Sequence, residues 1–415
     1  MTMHSVANHA IGKAAKDNIF GASAAAKAAA AKVGAENIVN ATIGAILDDN
    51  EKLVILPTVD KAFRSLTDDM YFSYAPISGL PDFLKLVQDD CFGESRPKGY
   101  IKAVATAGGS GAIHHAIWNY SEPGDTVLTS DWYWGPYKVF CRDMNRKLAT
   151  YKMLTDDNKY NLPALTEKVT EILTKQNSLV VIINTPAHNP TGYSLTSEDI
   201  ANVIAMLKKA TADNGKKVTL VLDVAYIDYA GEREEVRKVF KNLSDLPENI
   251  IGLVAYSLSK GYTMYGQRCG ALINVTASEE QSQEFADVNQ YTSRATWSNI
   301  NHGAMQTLVS ILTDPAMKED IRKERAHYYS LIQSRGDLFA KEAKECGLKM
   351  VPYIAGFFIS IPCKDSKAVC DKLHEDNIFA VPLAAGVRVA VCAISTKKVK
   401  GMAAKIKAAI DAVEK

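Results

Sequence analysis

From about Ile101 onward, short runs of aliphatic and β-branched residues alternate with stretches of helical period, and this alternation limits the possible folds more than any other feature. A run that stays apolar residue after residue cannot turn one side to water, so it belongs to a strand buried on both faces. The runs Ala103–Thr106, Val127–Thr129, Leu179–Ile183, Val218–Leu222, Leu253–Ala255 and Ala271–Val275 have this character. The helical stretches between them include one from Gly111 and one from Thr196 to Asp213, where Thr196 and Asp199 stand at capping-box spacing. The expected class is α/β, with a largely parallel sheet flanked by helices.

After roughly residue 320 the texture changes. A charged helix (Lys318 to Ser334), an apolar strand-like run (Gly356–Ile361), a helix from Ser366 and a closing helix from Lys397 to Glu414 follow one another. A chain of 415 residues is longer than most single cores can grow. The division expected is therefore a large domain over residues 55–320 and a smaller α+β domain built from 1–54 and 321–415.

Composition removes several classes of function. Lys plus Arg (48) nearly cancel Asp plus Glu (47), which gives no reason to expect nucleic acid or an anionic membrane as partner. The uncharged stretch Ser178 to Ser197 is long enough to span lipid, but Asn184, Pro186, His188, Asn189 and Pro190 break its second half. Near the start, Lys13, Lys16, Asp17 and Lys27 interrupt any signal-like run, and the Ala-rich Gly21–Ala31 reads as a helix. The seven cysteines are scattered and contain no C-x-x-C pair, the pattern of reduced thiols in a cytoplasmic protein.

In an open α/β sheet, ligands gather beyond the carboxyl ends of the strands. Five such places are polar or glycine-rich here. Gly108-Gly109-Ser110-Gly111 follows the first run, and Asn184 to Gly192, with Asn189-Pro190-Thr191-Gly192 at its end, follows the third. Asp223 and Tyr226 close the fourth, Ser257-Leu258-Ser259-Lys260 closes the fifth, and Arg268-Cys269-Gly270 opens the sixth. Each alone has a plain reading: a tight turn, a capping carboxylate, a solvated lysine. The glycine cluster does not fit G-x-G-x-x-G, because His114 stands where the last glycine belongs, and no Walker-type sequence occurs.

Together the set supplies what an aldehyde-phosphate cofactor with a pyridine ring requires. A lysine forms the Schiff base, and a desolvated site with a second cation would lower its proton affinity enough for it to react. Asp223 can face the pyridine nitrogen, Tyr226 and Asn189 the phenolate oxygen. Ser110, Ser257 and Arg268, with the glycine-rich turn, can neutralise the phosphate.

The segments Asn189-Pro190-Thr191-Gly192, Asp223-x-Ala225-Tyr226 and Ser257-x-Ser259-Lys260, followed by Arg268-x-Gly270, resemble the fold-type-I, class I aminotransferases, nearest the aspartate and aromatic amino acid branch. The resemblance runs from near Asn40 to the C-terminus. It implies a seven-stranded-type sheet in the large domain and pyridoxal 5′-phosphate held by Lys260, which also moves the substrate proton. It implies Asp223 as partner of the pyridine nitrogen, Asn189 and Tyr226 as ligands of the ring oxygen, and Gly109, Ser110, Ser257 and Arg268 as the phosphate site. Tyr74 resembles the tyrosine that reaches the phosphate from a neighbouring subunit, implying a homodimer with shared active sites. Tyr133 resembles the aromatic that stacks on the ring, although the aspartate branch carries tryptophan there, and Trp132, Tyr133 and Trp134 also suit a packed core.

The same resemblance makes Arg388 the arginine for the substrate α-carboxylate and Gly44 the small-domain glycine that approaches the substrate. Arg294 resembles the arginine that takes a second carboxylate across the dimer interface. Its segment is one residue shorter between Asn299 and His302 than the pattern, so a surface or interface ion pair is the other reading. The implied reaction is ping-pong transfer of an amino group between an amino acid (aspartate, glutamate or aromatic) and a 2-oxo acid. The alternative on the same fold is a C–S β-lyase or related elimination. A cofactor-binding DNA regulator would need a further domain ahead of the matching segments.

Overall fold

The computed structural model describes residues 4–14, 18–212 and 215–414. Strands follow the apolar runs. In chain order they are β1 (Val39–Asn40), β2 (Ala103–Thr106), β3 (Thr126–Ser130), β4 (Lys147–Tyr151), β5 (Ser178–Asn184) and β6 (Lys217–Asp223). Then come β7 (Ile250–Ser257), β8 (Gly270–Val275), β9 (Phe358–Pro362), β10 (Ile378–Phe379), β11 (Val381–Leu383) and β12 (Gly386–Ala390). A seven-stranded sheet has the order β2-β8-β7-β6-β5-β3-β4, and only β8 runs against its neighbours.

Both faces of this sheet are buried, as the continuous apolar runs require. Val104, Val127, Val180, Ile182, Val221, Leu253 and Leu272 pack on one side with Ala112, Ile113, Ala116 and Ile117 of the helix Gly108–Tyr120. Ala105, Leu128, Val181, Leu220, Leu222, Val254 and Ile273 face the opposite, larger core. Helix Ser197–Thr211 has its Thr196/Asp199 capping box; Asp213, the end expected for it, lies outside the described residues. β4 has no counterpart among the runs read from the sequence. It is an edge strand whose only fully buried residue is Tyr151, so it carries no continuous apolar signal.

Register decides what the sheet presents at one end. Asn184 pairs with Asp223, Asp223 with Ala255, Ser257 with Gly270, and Gly270 with Thr106. Because β8 is antiparallel, its start lies beside the ends of its neighbours, which brings Arg268-Cys269-Gly270 to the same edge as Gly108, Asp223 and Ser257.

A second core unites Ala41, Phe339, Ala343, Ile359, Ile361, Val387, Val389 and Ile406. It lies around the antiparallel sheet β11-β12-β9, the parallel pair β1-β10, and the helices Ser366–Glu375 and Met402–Val413. The boundary expected at 320/321 falls inside one helix, Pro315–Cys346, whose Ile321 and Ile332 pack in the large core and whose Phe339 and Ala343 pack in the second. The expected closing helix is two pieces, Thr396–Val399 and Met402–Val413, parted at Lys400 and Gly401. Among the described residues no helix is long and apolar enough to cross a membrane.

Candidate active site

Lys260 is the third residue of a four-residue helical turn, Leu258–Gly261, that follows β7 directly. Some of its stem is exposed, yet its amine is enclosed: Nζ donates to the Gly44 carbonyl at 2.6 Å and lies 4.8 Å from the Tyr265 ring centre and 5.7 Å from that of Tyr226. Burial lowers its proton affinity to a pKa of about 8, helped by the guanidinium groups of Arg388 and Arg268 and opposed by the Cys392 thiol. Such an amine is a nucleophile near neutral pH.

Asp223, at the end of β6, is buried. Its carboxylate accepts from Tyr137 Oη at 2.5 Å and from the Ala225 amide at 3.3 Å, while Asn184 Nδ2 donates to its backbone carbonyl at 2.8 Å. Burial outweighs these donors and pushes its pKa up. Among the described residues it forms no ion pair within salt-bridge distance, so the site holds a carboxylate in need of a cation. A protonated pyridine nitrogen fits that need.

Asn184 also ties the next element. Its Oδ1 accepts from the Asn189 amide at 2.6 Å, and Asn189 Nδ2 donates to Tyr226 Oη at 3.0 Å. Burial pushes the Tyr226 phenol up, against the pull of Arg388. Gly192 at the end of the segment has φ +74°, and a Cβ there would meet the Phe358 carbonyl at 2.5 Å. Arg388, central in β12, is buried; it donates to Asn189 Oδ1 at 3.4 Å and to the Thr42 carbonyl at 2.6 Å, and its guanidinium lies 4.4 Å from the Phe358 ring centre. Gly44 is held against the same ring, where a Cβ would stand 2.5 Å from Phe358 Cζ.

The phosphate-site candidates meet at the start of helix Gly108–Tyr120, whose first turn has no side-chain cap. A Cβ on Gly108 would lie 3.0 Å from Arg268 Nη2, and one on Gly109 would lie 3.3 Å from Ser257 Cβ. Arg268 Nη1 donates to Ser259 Oγ at 3.2 Å, and Ser257 Oγ accepts from the Ser259 amide at 3.2 Å. Open backbone N–H groups, hydroxyls and a guanidinium make a cradle for a phosphate dianion. Ser110 is in that first turn and only partly buried.

Three sequence candidates stand differently. Tyr133 is partly buried at the edge of the core under the helix Gly108–Tyr120, whereas Trp134 packs edge-on, 5.5 Å between ring centres, against the Tyr137 that holds Asp223. Trp132 belongs to a separate cluster with Met153 and Val351. Tyr74 is 92% exposed, and within this one chain it is not brought to Lys260. Arg294, exposed on the last turn of helix Glu279–Thr296, donates to Ser298 Oγ at 2.5 Å and is likewise not gathered with Arg388.

Reading the sequence did not single out Tyr137, Asn184, Ser259, Tyr265 or Phe358 for roles. Of these, Tyr137 has a local sequence signal, which marks it as buried but not as the partner of Asp223. It stands in the first turn of helix Pro136–Asp143 and shares a buried face with Cys141, an i, i+4 relation readable from the sequence.

The profile of the family described as aminotransferase class I and II matches residues 36–406. Among curated relatives, the aromatic-amino-acid aminotransferase of Escherichia coli (strain K12) is 24% identical over 88% of this chain and 91% of its own length. The mitochondrial aspartate aminotransferase of Schizosaccharomyces pombe is 25% identical over 73% and 68%. A solved aminotransferase from Anaerococcus prevotii superposes with a TM-score of 0.96 at 36% identity, covering 99% of this chain and 100% of that one. An aromatic-amino-acid aminotransferase from Burkholderia pseudomallei, described as covalently bound to pyridoxal phosphate, shares the fold with a TM-score of 0.80 at 21% identity, over 99% and 100% of the two chains. These relatives do not favour the alternative of a C–S β-lyase. The chain belongs to the aminotransferase class I and II family.

Proposed function

We propose that this aminotransferase carries pyridoxal 5′-phosphate on Lys260 and moves amino groups between dicarboxylic or aromatic amino acids and 2-oxo acids. The observation that supports this most is the pairing, at one end of the sheet, of a buried amine of lowered proton affinity with a buried carboxylate that has no cation partner among the described residues. When bound, the cofactor supplies an electron-accepting ring that can take up charge from the substrate α-carbon. Asp223 would keep the pyridine nitrogen protonated, with Tyr137 orienting its carboxylate. Tyr226 and Asn189 would bind the ring oxygen. The first turn at Gly108, Gly109 and Ser110, with Ser257, Ser259 and Arg268, would bind the phosphate.

Arg388 would hold the substrate α-carboxylate, and Gly44, whose lack of a side chain lets its segment lie against Phe358, would approach the substrate. Lys260 would also be the base that takes the proton from the substrate α-carbon. For the aromatic on the ring we favour Trp134 over Tyr133, because Trp134 touches the residue that orients Asp223.

The homodimer is part of the same proposal. Phe72, Tyr74 and Tyr291 are 84%, 92% and 80% exposed, more than single scattered apolar residues require. The Ser73 carbonyl also lies 2.9 Å from His302 Nδ1, which sets the Tyr74 segment beside the helix that follows Arg294. A partner seated there would receive Tyr74 at its phosphate and Arg294 at a second substrate carboxylate. A cytoplasmic location accords with seven free thiols. The chain divides at 55–320 against 1–54 and 321–415 in this reading, with the helix Pro315–Cys346 shared between the parts.

The test is the visible absorbance of the purified protein with pyridoxal phosphate, before and after aspartate and then phenylalanine, beside Lys260→Ala. Conversion of the band by aspartate supports the dicarboxylate role of Arg294. Conversion by phenylalanine alone keeps the transferase and removes that role. No band in the wild type would overturn the cofactor assignment.

A further inference from the structure

The turn that carries Lys260 rests on a buried charged cluster to which none of the roles above is assigned. Tyr256 and Tyr262, which bracket the turn in sequence, both donate to Asp90 Oδ2, at 2.7 and 2.8 Å. Arg233 and Arg325 approach the same carboxylate at 3.3 and 3.6 Å, and Arg237 and Arg325 approach Asp228 at 2.7 and 3.5 Å. Burial alone would push the Asp90 carboxyl up, but Arg325, Arg237 and Arg233 overcome it and hold it well below the usual carboxylate range. Asp90 is therefore ionised and paired within the cluster.

Arg325 is the guanidinium that touches the turn itself. Its Nε donates to the Gly261 carbonyl at 2.7 Å, and its guanidinium lies 4.1 Å from the Tyr262 ring centre. A Cβ on Gly261 would collide with the Asp228 carboxylate, so turn and cluster are in direct contact. A four-residue helix has almost no stability of its own, and its last carbonyls need donors from outside. A charge-assisted bond from a buried guanidinium is a strong one. Lysine has a long flexible stem, so the place of its amine depends on the backbone that bears it. The same helix, Pro315–Cys346, carries the fully buried Arg335, which donates to the carbonyls of Leu47 and Cys392 at 2.9 and 3.2 Å. One helix thus grips the Lys260 turn and, further along, the segment next to Gly44.

We propose that Arg325 is a positioning residue for amino-group transfer: by fixing the Gly261 carbonyl over the Asp90 and Asp228 carboxylates, it sets where the Lys260 amine stands, without touching substrate or cofactor. This rests on the reading that Lys260 carries pyridoxal phosphate.

The test compares Arg325→Lys with Arg237→Lys and Tyr262→Phe. A lysine at 325 keeps the charge but cannot span the Gly261 carbonyl and both carboxylates at once. Arg237 is also buried in the same cluster and gives its hydrogen bonds to Asp90, Arg233 and Asp228 rather than to the turn, so its variant reports the purely structural effect. For each protein one measures the melting temperature, kcat and KM with whichever of aspartate or phenylalanine the wild type converts faster, and the pH midpoint for uptake of pyridoxal phosphate by the apoprotein.

Both arginine variants are expected to melt earlier. Only Arg325→Lys is expected to lose kcat by on the order of 10- to 100-fold, the cost of about an ångström of misplacement, with KM within about twofold. Its uptake midpoint should move to higher pH as the amine gains water. Tyr262→Phe should shift both readouts the same way by less, and it decides the matter if Arg325→Lys does not fold. The proposal is overturned if kcat and midpoint stay at wild-type values, or if Arg237→Lys moves them equally. A wild-type protein that takes up no pyridoxal phosphate would remove the Lys260 reading, and this proposal with it.

Discussion

Asp223, when ionised, carries a burial cost that no cation among the described residues offsets. Its folded-state pKa is raised above the ordinary value of 3.8. The folded apoprotein therefore holds that proton to higher pH than the unfolded chain does, and stability falls as pH rises through this interval. Asp223→Asn should thus melt higher than the wild-type apoprotein at pH 7, with the difference vanishing in acid. The same variant should lose activity by on the order of 10²- to 10³-fold, since it removes charge aimed at the ring. A thermal scan across pH and one rate assay check both halves. Lys260 runs the other way: its pKa falls from 10.5 to about 8, so the apoprotein's uptake of pyridoxal phosphate should rise with pH about a midpoint near 8. A midpoint near 10.5 in stopped-flow absorbance would contradict the enclosure of its amine. Lys260, Asp223, Asn189 and Tyr226 could be placed at strand ends from the sequence because each sits in a contiguous motif. Tyr137 could not, because its partner Asp223 is 86 residues away and only the folded sheet brings them together.

At the scale of elements, apolar continuity made the central strands legible and left others obscure. β4 is an edge strand with one buried side, and helix Pro315–Cys346 changes cores midway, so neither shows one sustained pattern. The start of helix Gly108–Tyr120 shows how an element makes a binding site. Gly108 has φ +66°, a conformation that favours glycine, and its open α-carbon lets Arg268 come close. Gly108→Ala should cost about 1–2 kcal/mol in backbone strain and push the guanidinium away from the first turn. The expected result is a pyridoxal phosphate affinity weakened by on the order of tenfold or more, the loss of about one charge-assisted contact. Absorbance titration of the apoprotein measures it, and an unchanged affinity would mean that the phosphate does not lie on this turn.

At the scale of the whole molecule, one chain gathers Lys260, Asp223 and Arg388 but leaves Tyr74 and Arg294 at the surface. A two-fold dimer resolves this if each subunit lends those two residues to the other's site. The arrangement has a consequence that a set of independent sites does not share. Lys260→Ala should be inactive on its own, and Tyr74→Ala combined with Arg294→Ala should be strongly impaired. Unfolded together in equal amounts and refolded, the two chains should form mixed dimers. In each mixed dimer one site combines the defects, and the other has an intact Lys260 from one chain with intact Tyr74 and Arg294 from its partner. Random pairing makes about half of the dimers mixed, so activity toward a dicarboxylic donor should recover to about a quarter of the wild-type value. If each chain instead completed its own site, mixing would restore nothing beyond the sum of the two variants. Following the recovery against the fraction of mixed dimers, separated by a charge tag on one chain, ties any gain to the shared site rather than to improved folding.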